Sequence, residues 1–124
     1  MSNKRTIRKV AMTRKGQVWL SAEGIDAAIT AYKHAIERDR RTDSVIRESV
    51  CLADFAREVG REAAAVDAYR EALALCLQGE RVYASRFRRC AYHCAVMIDN
   101  LLDDRECTEV DRVSDFFNSA EKHY

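Results

Sequence analysis

The sequence predicts an all-α fold. The chain of 124 residues contains no proline and only four glycines, so few residues would interrupt a helix. Apolar residues recur along most of the chain with the spacing of amphipathic helices. Hydrophobic residues make up 48% and charged residues 33%, a balance that excludes wholesale disorder because a core can be buried. We therefore expect one helical domain over residues 1–124.

Short polar or glycine-bearing junctions divide the chain into six predicted helices. Ser21 is placed to cap the second helix, and Thr42 or Asp43 the third. Gly60 and Gly79 each stand where a left-handed residue would end a helix. Helices joined by so few residues pack as antiparallel neighbours, which predicts three helical hairpins. The predicted helices lie at about 4–20, 23–38, 43–58, 61–77, 81–102 and 107–122.

A pattern of small and aromatic residues occurs twice. Tyr32 lies within the spacing Ala-x3-Tyr-x2-Ala, and the same spacing surrounds Tyr69. Small residues let two helices approach closely, and an aromatic ring fills the space beside them. We therefore expect Tyr32 and Tyr69 to be buried between consecutive hairpins, with each hydroxyl at the edge of the core.

This pattern resembles the tetratricopeptide repeat, a family of helical hairpins with small residues and aromatics at these intervals. The second unit is the most similar, through Ala53, Gly60, Ala65, Tyr69 and Ala72. The resemblance implies a short right-handed solenoid of three stacked hairpins. It also implies a protein-interaction module, such as an adaptor, chaperone or inhibitor, that binds a partner segment. The repeats would lie at about 9–41, 46–78 and 81–122.

The resemblance also implies where a partner binds. Repeat proteins bind extended or helical segments on the concave surface formed by the first helix of each hairpin. Guanidinium groups beside an aromatic ring favour an acidic segment or a phosphate. The same side chains could instead pair with charges on neighbouring helices and contribute little to binding. The residues expected to contact the protein or peptide partner are Gln17, Asp54, Arg57, Arg88, Arg89 and Tyr92.

The sequence contains no catalytic signature. A phosphate-binding glycine loop, a G-x-S-x-G motif and an H-E-x-x-H motif are all absent, so we expect a non-enzymatic protein without a cofactor. Cys90, His93 and Cys94 share one helical turn and could form one side of a zinc site, completed by Cys76 or Cys107. Because Cys90 and Cys94 occupy small-residue positions that face a paired helix, we expect packing rather than metal binding.

Charge is distributed unevenly, although the net charge is only +1. The first predicted helix is basic, and Arg86, Arg88 and Arg89 form a second basic group. These features support an alternative function as a small helical nucleic-acid-binding regulator.

Phe116 indicates self-association. It is adjacent to Phe117, and one helix face cannot bury two consecutive aromatic rings well. Phe117 occupies the position of the internal repeat aromatic, so we expect Phe116 to contact a second copy in a homodimer.

The composition favours a cytoplasmic location. No apolar stretch reaches the length of a membrane span, so we expect no membrane insertion. The five cysteines do not have the spacing of a disulfide framework, which is consistent with a reducing compartment.

Overall fold

The computed structural model describes residues 8–13, 16–78 and 84–122. From residue 21 onward the described residues form helices and turns without a strand, which confirms the all-α prediction for this part of the chain. No described helix is both long and apolar enough to cross a membrane. The predicted start of the fifth helix, at 81–83, lies outside the described residues. The elements in chain order are β1 (Arg8–Thr13), β2 (Gly16–Leu20), α1 (Ala22–Arg38), α2 (Thr42–Glu58), α3 (Glu62–Cys76), α4 (Ser85–Leu101) and α5 (Thr108–Lys122).

The predicted helix at 4–20 is wrong wherever the structure describes it. Strands β1 and β2 form an antiparallel hairpin in which Thr13 pairs with Gly16. Valine and tryptophan are residue types that favour strands, and they occur here as Val10 in β1 and as Val18 and Trp19 in β2. Two residues separate the strands, a length typical of hairpin loops. The first of the three predicted helical hairpins therefore lacks its first helix over these residues, while residues 4–7 and 14–15 lie outside the described part.

Two helix ends follow the sequence predictions. The Ser21 hydroxyl accepts a hydrogen bond from the Gly24 backbone N–H at 3.2 Å, so Ser21 caps α1 as expected. Gly60, just beyond α2, has φ 79°, the left-handed conformation that glycine adopts with little steric cost.

The start of α2 differs from the prediction. Arg41 holds the cap position without a side-chain capping bond, and Thr42 is already helical. The turn before it is fixed differently, because an Asp39 carboxylate oxygen accepts the Arg41 backbone N–H at 3.0 Å. The predicted cap by Thr42 or Asp43 is therefore wrong.

Each helix packs against its neighbours in sequence, in the order α1, α2, α3, α4, α5, while β1 lies near α2 and β2 near α1. Alanines such as Ala53, Ala65 and Ala91 are completely buried, which lets the helix axes approach closely. Two polar contacts between α2 and α4 occur in the same order along both helices, Arg86 with Asp43 and then His93 with Asp54. Helices α2 and α4 therefore run in the same direction and lie side by side.

The two repeat tyrosines have different environments. Tyr69 is 0% exposed, which confirms that this residue is buried. Tyr32 is only half-buried, and its ring lies 5.6 Å from that of Phe55 at a tilt of 41°. Tyr32 belongs to α1, the first helix in the described part of the chain, so no helix before it covers its outer side.

Two carboxylates, one in the last turn of α4 and one in the connection after it, fix the start of α5. Asp99 is 3% exposed and accepts the backbone N–H groups of Glu109 and Val110, each at 3.0 Å. These are donors that a helix N-terminus leaves without an intrahelical partner. The pKa of Asp104 is lowered, mainly by a hydrogen bond from the Thr108 side chain and to a smaller extent by hydrogen bonds from backbone N–H groups.

Candidate functional site

A groove of about 480 Å³ lies between the N-terminal halves of α2 and α4. Ile46 and Phe87, which line it, belong to the hydrophobic core and are 4% and 7% exposed. Val50 is also partly buried there. The floor of the groove is therefore apolar, and it opens to solvent between the two helices.

The rim of the groove is basic. The described residues at the rim include three arginines, Arg41, Arg47 and Arg86, and one carboxylate, Asp43. Arg86 Nη2 lies 2.9 Å from Asp43 Oδ2, and its guanidinium carbon is 4.7 Å from the ring centroid of Phe87. Arg41 and Arg47 are exposed. The rim therefore carries an excess of guanidinium groups, which recognise carboxylates and phosphates through paired hydrogen bonds.

A polar cluster centred on Tyr69 lies further along α2. The Tyr69 hydroxyl donates to Asp54 Oδ1 and accepts from Arg57 Nε at 3.4 Å. His93 Nε2 lies 3.8 Å from the same Asp54 oxygen, and the His93 ring is edge-on to Tyr69 at 6.0 Å. Burial raises the pKa of the Tyr69 hydroxyl, and its hydrogen bond to Asp54 acts in the same direction. Tyr69 therefore remains a neutral donor that orients Asp54 and Arg57.

The structure separates two α4 residues of the predicted partner surface from those on α2. The Tyr92 hydroxyl donates to Ser114 Oγ at 3.1 Å, and its ring stacks on Phe117 at 5.9 Å. The Arg88 guanidinium carbon lies 4.8 Å from the Phe117 ring centroid. Residues four apart share one face of a helix, and the face of Arg88 and Tyr92 meets α5. Arg89 is exposed on α4.

Gln17 is not on a helical surface, because it lies in β2 and pairs with Met12 of β1. Of the six predicted partner contacts, Asp54 and Arg57 are brought together by their bonds to Tyr69, whereas Arg88 and Tyr92 are brought together by their contacts with Phe117. The basic groups of the nucleic-acid alternative also make internal contacts, since Arg86 pairs with a carboxylate and Arg88 lies over an aromatic ring.

Arg41 and Arg47 of the groove were not predicted from the sequence. Val50 lies one helical turn from Arg47, and Asp43 lies one turn before Arg47. Residues at this spacing share a helix face. Following the face of Asp54 and Val50 towards the start of α2 would have identified the rim.

Three cysteine side chains meet where α3 ends beside α4. Cys76 and Cys94 are 0% exposed core residues, as the packing interpretation expects, and Cys90 is half-buried and lines the groove. Hydrogen bonds from Cys76 and then Cys94 lower the pKa of Cys90. The bond to Cys90, together with burial, raises the pKa of Cys94.

No group of three or more histidine, cysteine, aspartate or glutamate side chains is arranged to hold a metal ion within 21–78 and 84–120, the part whose side chains are described. The His93 ring contacts Asp54 and Tyr69 instead. Cys107 is exposed in the turn before α5.

Comparison of the chain with protein-family models, curated proteins and solved structures finds no match. The functional assignment therefore depends on the geometry of the groove and of its neighbouring clusters.

Proposed function

We propose that the chain is a non-enzymatic protein-interaction module that binds an acidic segment of a partner protein in the groove between α2 and α4. The observation that carries this proposal is the combination of an apolar floor and a rim rich in arginine. In a stack of tetratricopeptide-like hairpins, α2 and α4 would be first helices of successive hairpins. The groove would then belong to the concave surface on which such repeats bind partners.

The floor and the rim have different parts in binding. An apolar side chain of the segment would pack on Ile46 and Phe87, and each buried CH₂ group contributes about 0.8 kcal/mol. A carboxylate beside it would accept hydrogen bonds from Arg41 or Arg47. A hydrogen bond to a charged group contributes about 1.5–3 kcal/mol when water is excluded. The segment favoured by the groove therefore alternates acidic and apolar residues.

The polar cluster extends this surface. Asp54 lies one helical turn beyond Val50 on α2, and Arg57 lies close to the following turn. Their bonds to Tyr69 hold both side chains in place before a partner arrives. Pre-organised side chains lose less conformational entropy on binding. A longer segment would continue from the groove onto these two residues.

A labelled peptide of alternating leucine and glutamate tests the proposal by fluorescence anisotropy. We expect the double variant Arg41→Glu with Arg47→Glu to weaken binding by more than about tenfold, because two charge-assisted contacts are replaced by repulsion. The matched control is Arg70→Glu with Arg105→Glu, which makes the same charge change at two exposed arginines that do not line the groove.

Three outcomes decide the proposal. Weaker binding by the groove variant alone supports it. Equal weakening by the control shows that only net charge matters, and unchanged binding by the groove variant shows that the rim makes no contact. Either of these two results contradicts the proposal. A peptide with lysine in place of glutamate should not bind.

A further inference from the structure

A second cavity, the α1–α3 cleft, lies between α1 and α3. Its residues on α2 are Ser49 and Leu52, whereas Arg47 and Val50 of the same helix line the groove. Each of the two cleft residues follows a groove residue by two positions, and two positions turn a helix by about 200°. The α1–α3 cleft and the groove therefore lie on opposite sides of α2, and the proposed function does not use the cleft.

Packing and an ion pair fix the walls of the cleft. Helices α1 and α3 both pack on α2, which forms the floor between them. The Nη2 atom of Arg61, immediately before α3, lies 3.0 Å from Asp26 Oδ1 of α1, so the two walls are adjacent near the starts of both helices. The cleft has a volume of about 370 Å³, and small-molecule sites in proteins span about 300–1,000 Å³. It is therefore large enough for a small ligand.

The floor of the cleft combines apolar side chains with a buried hydroxyl. Leu52 and Ala68 line it and are 5% and 6% exposed. Ser49 lies beside them at 1% exposed, and its Oγ atom has no hydrogen-bond partner among the described residues. A buried hydroxyl without a partner costs free energy, and such groups are rare in native proteins. Because Ser49 lines the cleft, a polar group of a ligand can supply the partner.

The rim of the cleft carries more carboxylates than cations. Asp67 and Glu71 lie one turn apart on α3, and Lys33 and Glu37 lie one turn apart on α1. All four are exposed, and none of the three carboxylates forms an ion pair with another described residue. Like charges four residues apart destabilise a helix. A bound cation would therefore relieve the repulsion between Asp67 and Glu71.

We propose that the α1–α3 cleft binds a small aliphatic amine that carries a hydroxyl at the other end of its carbon chain. An ammonium group has three N–H donors, which Asp67 and Glu71 accept from one wall and Glu37 from the other. The methylene groups of the ligand pack on Leu52 beneath the rim. The ligand hydroxyl pairs with Ser49 Oγ.

The chemistry of Ser49 selects the second polar group of the ligand. A serine hydroxyl can donate or accept a hydrogen bond, and a ligand hydroxyl complements it in either sense. A hydroxyl is also neutral, whereas a second charge would be costly to bury on an apolar floor. The side chain of a lysine in a partner protein has no such group, so the site favours a free amino alcohol.

Isothermal titration calorimetry of the chain with aminohexanol, hexylamine and hexanol tests the proposal. We expect aminohexanol to bind about two- to tenfold more tightly than hexylamine, because only aminohexanol can bond to Ser49. Ser49→Ala should lower the affinity for aminohexanol to that for hexylamine. The variant should be at least as stable as the wild type in urea, because the lost hydroxyl has no partner among the described residues.

The rim is tested with the double variant Asp67→Asn with Glu71→Gln. Because exposed ion pairs are weak, we expect it to bind aminohexanol about three- to tenfold less tightly. The matched control is Asp111→Asn with Asp115→Asn, which also removes two exposed carboxylates one turn apart, but on α5 and outside the cleft. Hexanol, which lacks the ammonium group, should bind more weakly than aminohexanol.

The expected pattern supports the site, and each other outcome overturns it. Equal weakening by the α3 and α5 variants shows that the amine responds only to net charge. Hexanol that binds as tightly as aminohexanol shows that the carboxylates make no contact. Wild-type chain that does not bind aminohexanol, or binds it no better than hexylamine, shows that Ser49 does not meet the ligand. A Ser49→Ala variant that is less stable in urea shows that the hydroxyl already has a partner within the chain.

Discussion

Replacing Tyr69 should reveal how strongly the polar cluster stabilises the fold. Tyr69 is 0% exposed, so Tyr69→Ala leaves a cavity and should lower the free energy of unfolding by about 3–5 kcal/mol. Tyr69→Phe removes only the hydroxyl and its bonds to Asp54 and Arg57. The Asp54 side chain is 44% exposed, and water can replace its lost donor. The cost of Tyr69→Phe should therefore be near the lower end of the range for charged hydrogen bonds, about 1.5 kcal/mol.

Urea unfolding followed by far-ultraviolet circular dichroism measures both changes. Tyr32→Phe is the matched control, because Tyr32 is only half-buried and should be affected less by loss of its hydroxyl. A double-mutant cycle of Tyr69→Phe with Asp54→Ala should give a coupling of about 0.5–3 kcal/mol. A Tyr69→Phe variant as stable as the wild type, or additive effects in the cycle, would refute the view that the polar cluster stabilises the fold.

Three further predictions concern α5 and the edges of the fold. Asp99→Ala leaves the N–H groups of Glu109 and Val110 without their acceptor, so it should cost about 1–3 kcal/mol in urea unfolding; an unchanged midpoint would contradict this. The pKa of Asp104 is lowered in the folded chain from its ordinary value of 3.8. The contribution of Asp104 to the free energy of unfolding is therefore complete above pH 3.8 and is lost as the pH falls through the pKa of the folded state. Asp104→Asn should therefore reduce the acid dependence of stability, and an identical pH profile would argue against it. Phe116 is 38% exposed, and Phe116→Asp should dissociate the proposed homodimer in sedimentation, whereas a monomeric wild type at tens of micromolar would disprove that dimer.

The sequence predicts the helices well where small residues determine their packing. Ala65, Ala68 and Ala72, which flank Tyr69 on α3, are buried, and small side chains there allow α2, α3 and α4 to approach closely. Ser21 and Gly60 similarly define helix ends through their own backbone chemistry. These features are local, so the residues themselves carry the information.

The prediction of a helix was wrong for the β-hairpin, and the prediction that Arg88 and Tyr92 face a partner did not anticipate their contacts with α5. Short segments such as β1 and β2 fit either a helix or a strand, and long-range contacts decide between them. Arg88 and Tyr92 lie on a face of α4 that could meet either α2 or α5. Both side chains contact Phe117 of α5, so this face packs against α5. The contact could not be predicted from the sequence, because Phe117 is far from both residues along the chain.

The bond from Tyr69 to Asp54 could not be predicted either, because it joins two helices whose relative rotation depends on the whole core. The groove was found only in part for the same reason. Asp54 was among the predicted contacts and lies one helical turn beyond Val50, but the rim arginines become neighbours of Arg86 only when α2 and α4 lie side by side.

The central claim, that the groove between α2 and α4 binds an acidic segment, is tested most directly by a two-dimensional NMR titration of the ¹⁵N-labelled chain with the leucine–glutamate peptide. If the segment binds in the groove, the amide signals of Arg47, Val50, Arg86 and Phe87 should shift most and saturate together. Signals from α5, such as that of Asp111, should remain in place. Shifts concentrated on α5 or in the hairpin, or spread evenly over basic residues and removed by moderate salt, would contradict the claim.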